Sequence, residues 1–277
     1  MKAFDDPARR RNLVERVISA VVLLPVAIWF TWMGGWPFAG LVAVAAVIAS
    51  VELLMMFGPL RAAERYGAVV AGALPLAAAM GRAGELHPGW AGQGLALASI
   101  GLLTLLLVSH DDLPSVPARA SRVALAWLYV GVLASSVVAL RLRAGTAWVI
   151  LAFVLTWAND TFAYFAGMLF GKHRLYEKVS PKKTWEGFAG GAAGSVAGAL
   201  VIRATMLPEI PVPEAFLIGA GAAVLGPMGD FTESLLKRAA GVKDSGKLIP
   251  GHGGLLDRID ALLFVAPWVY LFAAWLG

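Results

Sequence analysis

The sequence predicts an all-α polytopic integral membrane protein with about nine transmembrane helices, on three observations. Hydrophobic residues make up 59% of the chain and charged ones 15%, far from the averages of soluble domains. The apolar residues fall in continuous runs rich in Ala, Leu, Val and Gly, near the length of about 20 residues that a helix needs to span a hydrocarbon core. No run shows the alternating pattern of roughly 10 residues that marks a membrane β-barrel strand.

In chain order the runs lie near residues 14–33, 36–57, 66–81, 90–109, 122–140, 146–170, 187–206, 214–236 and 258–276. The first follows the basic segment MKAFDDPARRRNLVER, which resembles the start of a secretory signal peptide. It is longer than the apolar core of such peptides and has no small-residue cleavage site, so it reads as a retained helix. The second carries Glu52, read as an interfacial or helix-paired carboxylate. The third and fourth have the softest boundaries, and the neighbouring His87 and His110 are loop residues without ligand-like company. The sixth contains Asn159 and Asp160. The seventh, GFAGGAAGSVAG, has the small-residue spacing that lets helices approach closely, either within the chain or between two copies in a homodimer. The eighth ends and the ninth begins in charge. With no cysteine, disulfides, thiol nucleophiles and thiolate metal ligands are excluded.

Charge asymmetry orients the chain. With the N-terminus inside, all of the 23 Lys and Arg except Arg82, Arg141, Arg143 and Arg203 fall on the inner side, as cytoplasmic loops require. A multi-pass protein of the cell inner membrane is expected, with the N-terminus and the loops 171–186 and 237–257 all cytoplasmic. Residues 1–145 read as N-terminal membrane helices forming a lipid-side scaffold, and 146–277 as a C-terminal membrane catalytic region.

Three segments carry the chemistry. Asp160 lies well inside the sixth run, where a central Asp costs about 2.5 to 3.5 kcal/mol on insertion scales, and an acid kept at that cost points to function. Asp160, Tyr164, Gly167 and Gly171 form one helix stripe, with the acid expected to face the bundle interior. The following loop, GKHRLYEKVSPKKTWEG, sets Lys182 and Lys183 between Ser180 and Thr184 just before a helix start, an arrangement suited to a phosphate. Asp230, Glu233, Ser234 and Lys237 share one face of the eighth helix. Asp257 and Asp260 are spaced i, i+3 on the ninth, with Arg258 turned away. If the last two helices are antiparallel neighbours, Asp230 and Asp257 approach each other. Oxygen-only ligands from Asp230, Asp257 and Asp260 suit a hard cation such as Mg²⁺ bound to substrate phosphates. Between the helices, KDSGKLIPGHGG reads as a flexible loop whose Lys243 and Lys247 reach phosphate oxygens. His252 reads either as a phosphate contact or as a loop-stabilising hydrogen bond.

The stretch SLLKRAAGVKDSGKLIPGHGGLLDRID, residues 234–260, resembles the signature of phosphatidate cytidylyltransferases, also called CDP-diacylglycerol synthases. ANDTFAYFAGMLFG and SPKKTWEG resemble two further motifs of that family in the same order, so the likeness covers about residues 157–260. The resemblance implies condensation of CTP with phosphatidate to CDP-diacylglycerol and pyrophosphate at the cytoplasmic membrane face, with Mg²⁺ and with K⁺ as a second ion. It implies a metal centre of Asp230, Asp257 and Asp260, and phosphate neutralisation by Lys182, Lys183, Lys237, Lys243 and Lys247. Hydrogen bonds would come from Ser180, Thr184 and Ser234, and Asp160 would support the polar cavity. The expected partners are CTP, phosphatidate and the bilayer, with no nucleic acid. The runner-up is cytidylyl transfer to another lipid phosphate, such as an isoprenoid ether analogue. An anion transporter would place its polar groups at interrupted helices near the midplane of two related halves, whereas here the charge crowds one face of one half. A non-catalytic membrane scaffold gives no reason to cluster three acids with five lysines.

Overall fold

The computed structural model describes residues 21, 24–83, 90–109, 112–249, 251 and 253–276. The basic N-terminal tail, His87, His110 and His252 lie outside the described residues. The helices are α1 (Leu24–Met33), α2 (Gly35–Met55), α3 (Ala62–Ala83), α4 (Trp90–Val108), α5 (Leu113–Arg143), α6 (Thr146–Phe170), α7 (Trp185–Thr205), α8 (Val212–Ala239) and α9 (Leu256–Leu276). Each corresponds to one apolar run of the sequence. Among the described residues six of them, α2 and α5 to α9, are long and apolar enough to cross a membrane, and Leu24–Met33 and Gln93–Val108 are shorter apolar helices, so the exact count of nine spans is not confirmed. The all-α class holds, and large apolar side chains such as Leu107, Leu113 and Trp275 stand exposed on the outside, as a bilayer requires.

Local chemistry sets the boundaries. Gly34 and Gly35 adopt positive φ and separate α1 from α2, while Gly145 does the same between α5 and α6. Helix α5 begins earlier than the apolar pattern suggests, because Pro114 and Pro117 fit the first turn of a helix, where their missing N–H is not needed. Its middle, Ala126–Val132, widens into a π-helical stretch. Loop 171–186 holds a short antiparallel hairpin of β1 (Arg174–Tyr176) and β2 (Ser180–Thr184). Thr184 then caps α7, its hydroxyl accepting from Gly187 N at 3.1 Å.

The glycine stripe of α7 packs within the chain. A Cβ on Gly190 would stand 2.3 Å from Ala166 Cβ, and one on Gly194 2.8 Å from Ala158 O, so α7 lies backbone to backbone against α6. That leaves the stripe closed to a second copy. On the other side, a Cβ on Gly219 of α8 would meet Val196 Cα at 2.7 Å. Helix α8 ends in a Schellman turn, with Val242 N donating to Lys237 O and Gly241 in the left-handed region.

Two large apolar cores result, with a small third cluster of Ala39, Ala79 and Val138. One gathers side chains of α6 to α9 with Phe38 of α2 and Leu140 of α5; the other gathers α2, α3, α4 and α5. Helix α9 serves both, giving Val265, Ala266 and Val269 to the first and Leu256 and Leu263 to the second. Its N-terminal turn therefore emerges where the two halves of the chain meet.

Candidate active site

Helices α8 and α9 run antiparallel in a register set by Gly229. A Cβ there would lie 2.4 Å from Asp260 O and 3.0 Å from Ala261 Cα, so only glycine permits this approach. The register places Asp230 beside Asp260. It sets Asp257 one turn further along, against Glu233 and Lys237. Asp230 and Asp257, expected to approach each other, lie on this shared α8–α9 face in two adjoining groupings, with Glu233 near both Asp257 and Asp260.

The first grouping is Asp160, Asp230 and Asp260, close enough to feel one another's charge, with Lys183 and Arg258 as nearby cations. Lys183 Nζ pairs with Asp230 Oδ2 at 2.7 Å and lies 4.5 Å above the Phe231 ring. Ser234 donates to Asp230 Oδ1 at 3.2 Å. Asp260 is buried, accepts from Ala261 N at 2.8 Å and has no salt-bridge partner among the described residues. The buried Tyr129, carried by the π-helical part of α5, has a hydroxyl with no hydrogen-bond partner, and Glu233 Oε1 is likewise uncommitted. Asn159 faces away and links α6 to α7 through Ser195 Oγ at 3.1 Å.

The second grouping is a saturated network around Asp257. Its Oδ1 accepts from Lys237 Nζ at 2.6 Å, and its Oδ2 accepts from Ser245 N at 3.0 Å, Ser245 Oγ at 2.8 Å and Gly254 N at 2.8 Å. Lys237 is shared with the buried Glu233. The described part of the segment after α8 is thereby tied to α9 by hydrogen bonds. Ile249 N donates to Gly253 O at 2.9 Å across a turn in which Gly251 and Gly253 have positive φ. Arg238 ties this segment to the hairpin by donating to Val179 O and Val242 O.

The hairpin and the loop after α8 carry further cations. Lys182, Lys243 and Lys247 are exposed and form no ion pair among the described residues, while Ser180 sits half-buried in the hairpin. Beneath lies a cavity of about 450 Å³, within the usual range for ligand sites. Its walls are apolar, from Leu24 and Ala27 of α1, Phe38 and Leu41 of α2, Phe153 and Trp157 of α6 and Leu262 of α9. Asp160, Asp257, Arg258 and Asp260 form its polar end. Arg258, which the helical spacing turns away from the acids, in fact lines the cavity with them, because the cavity wraps around the first turn of α9. The site so built sets Arg258 and the carboxylates of Asp160, Asp257 and Asp260 at one end of an apolar chamber.

No three His, Asp or Glu side chains among the described residues are grouped tightly enough to enclose a metal ion. Mg²⁺ does not require such an enclosure, since it commonly takes one or two protein carboxylates and completes its shell with water and substrate phosphates. Asp230 and Asp260 fit such an ion. Asp257, which accepts from Lys237, Ser245 and Gly254, is the most fully engaged of the three, and Asp230 would exchange its contact with Lys183 or Ser234 for the ion.

The match to known proteins extends over the whole fold. The sequence model described as the cytidylyltransferase family matches residues 14–276. The chain is 31% identical to a protein from Brucella abortus named phosphatidate cytidylyltransferase, over 95% of this chain and 94% of the relative. Proteins of the same name from Thermotoga maritima and Bacillus subtilis are each 32% identical, covering 94% and 95% of this chain and 96% and 98% of the relatives.

Proposed function

The chain belongs to the cytidylyltransferase family, and on that premise we propose that it is a phosphatidate cytidylyltransferase, joining CTP and phosphatidate into CDP-diacylglycerol and pyrophosphate. The observation that carries the reading is the cavity itself, where Asp160, Asp257, Arg258 and Asp260 give a polar end to an apolar chamber, and Ile249 of the loop that carries Lys243 and Lys247 lines its wall. A lipid phosphate and a soluble triphosphate both need such a meeting place.

In the proposed reaction a phosphate oxygen of phosphatidate attacks the α-phosphorus of CTP. The new P–O bond forms as the bond from that phosphorus to the bridging oxygen breaks, and pyrophosphate leaves with the electron pair. No protein nucleophile is needed, and the protein supplies positioning and charge. Lys183, steered by Asp230 and Phe231, meets the triphosphate together with Lys182, Lys243 and Lys247. Arg258 orients the lipid phosphate while the apolar walls take the acyl chains. Asp230 and Asp260 would hold Mg²⁺, which supplies Lewis-acid stabilisation of the phosphate oxygens. K⁺ is the second ion of the proposal, suited to uncommitted buried oxygens such as Glu233 Oε1. Asp257 acts behind them by fixing Lys237 and the loop. The inner membrane, with this end of the bundle cytoplasmic, is the expected setting.

The test is Mg²⁺-dependent product formation by detergent-purified protein, with Asp230→Asn and Asp260→Asn in parallel. Each variant is expected to lose activity by about 10²-fold or more. Full activity in both variants would remove these carboxylates from the centre.

A further inference from the structure

Glu52 of α2 lies in the half of the chain that reads as a lipid-side scaffold, yet its carboxylate is buried against the signature loop. Its Oε1 accepts from Leu255 N at 3.0 Å, and its Oε2 accepts from Leu256 N at 2.8 Å and from Ser245 Oγ at 3.4 Å. It thus neutralises the exposed N–H groups at the start of α9, the helix that carries Asp257, Arg258 and Asp260. The loop is cut to fit it. A Cβ on Gly246 would meet Glu52 Oε1 at 2.6 Å, with only Glu52 atoms as its nearest neighbours, and one on Gly254 would lie 2.6 Å from Glu52 Oε2. Ser245 Oγ, with its single proton, lies 2.8 Å from Asp257 Oδ2 and 3.4 Å from Glu52 Oε2, and the two carboxylates also hold the loop through separate backbone N–H groups.

We infer that Glu52 is a positioning residue for the cytidylyl transfer, acting through Ser245 and the first turn of α9 to hold Asp257, Lys243 and Lys247 in place for the nucleotide. The inference rests on the function proposed above. Part of the loop's glycine pattern then follows from a partner some 200 residues earlier in the chain. The N-terminal helices complete the catalytic centre as well as supporting it.

The test measures KM for CTP and for phosphatidate separately, in wild type, Glu52→Gln, Gly246→Ala, Glu52→Ala and the Glu52→Ala, Gly246→Ala double variant. Glu52→Gln keeps the shape but turns one acceptor into a donor facing a backbone N–H. It should raise KM for CTP at least fivefold, and KM for phosphatidate by less through the neighbouring Arg258; a loss of folded enzyme alone would lower the apparent kcat and move neither KM. Gly246→Ala should cost at least tenfold in kcat/KM when Glu52 is present and no more than twofold further once Glu52 is alanine. Unchanged KM for CTP in Glu52→Gln, or losses that multiply in the double variant, would overturn the inference. If Glu52→Ala does not yield folded protein, Glu52→Gln and Gly246→Ala decide the matter through the KM split alone. Inactive wild type would count against the proposed reaction, whereas active wild type with indifferent variants would count against Glu52 only.

Discussion

Replacing Gly229 by alanine should disable the enzyme through a displacement small enough to leave it folded. The added Cβ would sit 2.4 Å from the Asp260 carbonyl oxygen and 3.0 Å from Ala261 Cα, both backbone atoms that no rotamer change can clear. Restoring an ordinary contact near 3.5 Å requires α9 to retreat by roughly 1 Å at this level. The retreat separates Asp260 from Asp230. A misplacement of about 1 Å can lower a rate by about 10²-fold, equivalent to about 2.7 kcal/mol of transition-state stabilisation. Overpacking costs about 1 to 3 kcal/mol of stability, partly offset by the roughly 1 kcal/mol by which alanine exceeds glycine in helix propensity. Gly226→Ala, one turn earlier, is the internal control, because its Cβ would meet only Val265 Cγ2 at an ordinary 3.7 Å. Initial rates with CTP and phosphatidate, read beside thermal unfolding in the same detergent, should show Gly229→Ala about 10²-fold down and Gly226→Ala within twofold of wild type. Gly229→Ala with wild-type activity would refute the dependence on close packing of α8 and α9 at the carboxylates.

Other expectations follow from individual contacts. Arg258→Ala should raise KM for phosphatidate by about tenfold or more, since a charged hydrogen bond contributes about 1.5 to 3 kcal/mol, and leave KM for CTP nearly unchanged; equal effects on both substrates would contradict its placement at the lipid phosphate. Lys183→Met removes the partner of Asp230 and the cation above Phe231, so kcat/KM for CTP should fall by at least tenfold in steady-state assays. Far from the site, Arg119 and Glu64 form a buried two-pronged ion pair joining α3 to α5. Arg119→Ala should cost about 3 to 5 kcal/mol, seen as a lower unfolding temperature, whereas Glu64→Leu with Arg119→Leu should recover most of it.

Much of the site was legible in the sequence because charge in an apolar run is conspicuous. Asp160, Asp230 and Asp260 stand out for that reason, and the structure brings them together. Their register was harder to read, because it depends on how closely Gly229 lets two helices approach, a property of the pair and not of either helix. The same limit applies to Asp257, which spacing groups with the other acids and packing assigns to Lys237 and Ser245. Arg258 was set aside by helical geometry, which describes neighbours on one helix and says nothing of a cavity wrapping the end of that helix. The KDSGKLIPGHGG segment reads as flexible from its glycines, yet those glycines make room for Glu52, whose partner loop lies too far along the chain for any local pattern to reveal. The small-residue stripe of α7 was legible as a close-packing surface, but only the fold identifies α6 and α8 as its partners.

The most direct test of the central claim is to reconstitute the protein in phosphatidate-containing liposomes, add CTP with Mg²⁺ and K⁺, and quantify lipid and water-soluble products by mass spectrometry. CDP-diacylglycerol and pyrophosphate should appear in equal amounts, and only when all components are present. Pyrophosphate without cytidylylated lipid, or no product from well-folded protein, would contradict the assignment.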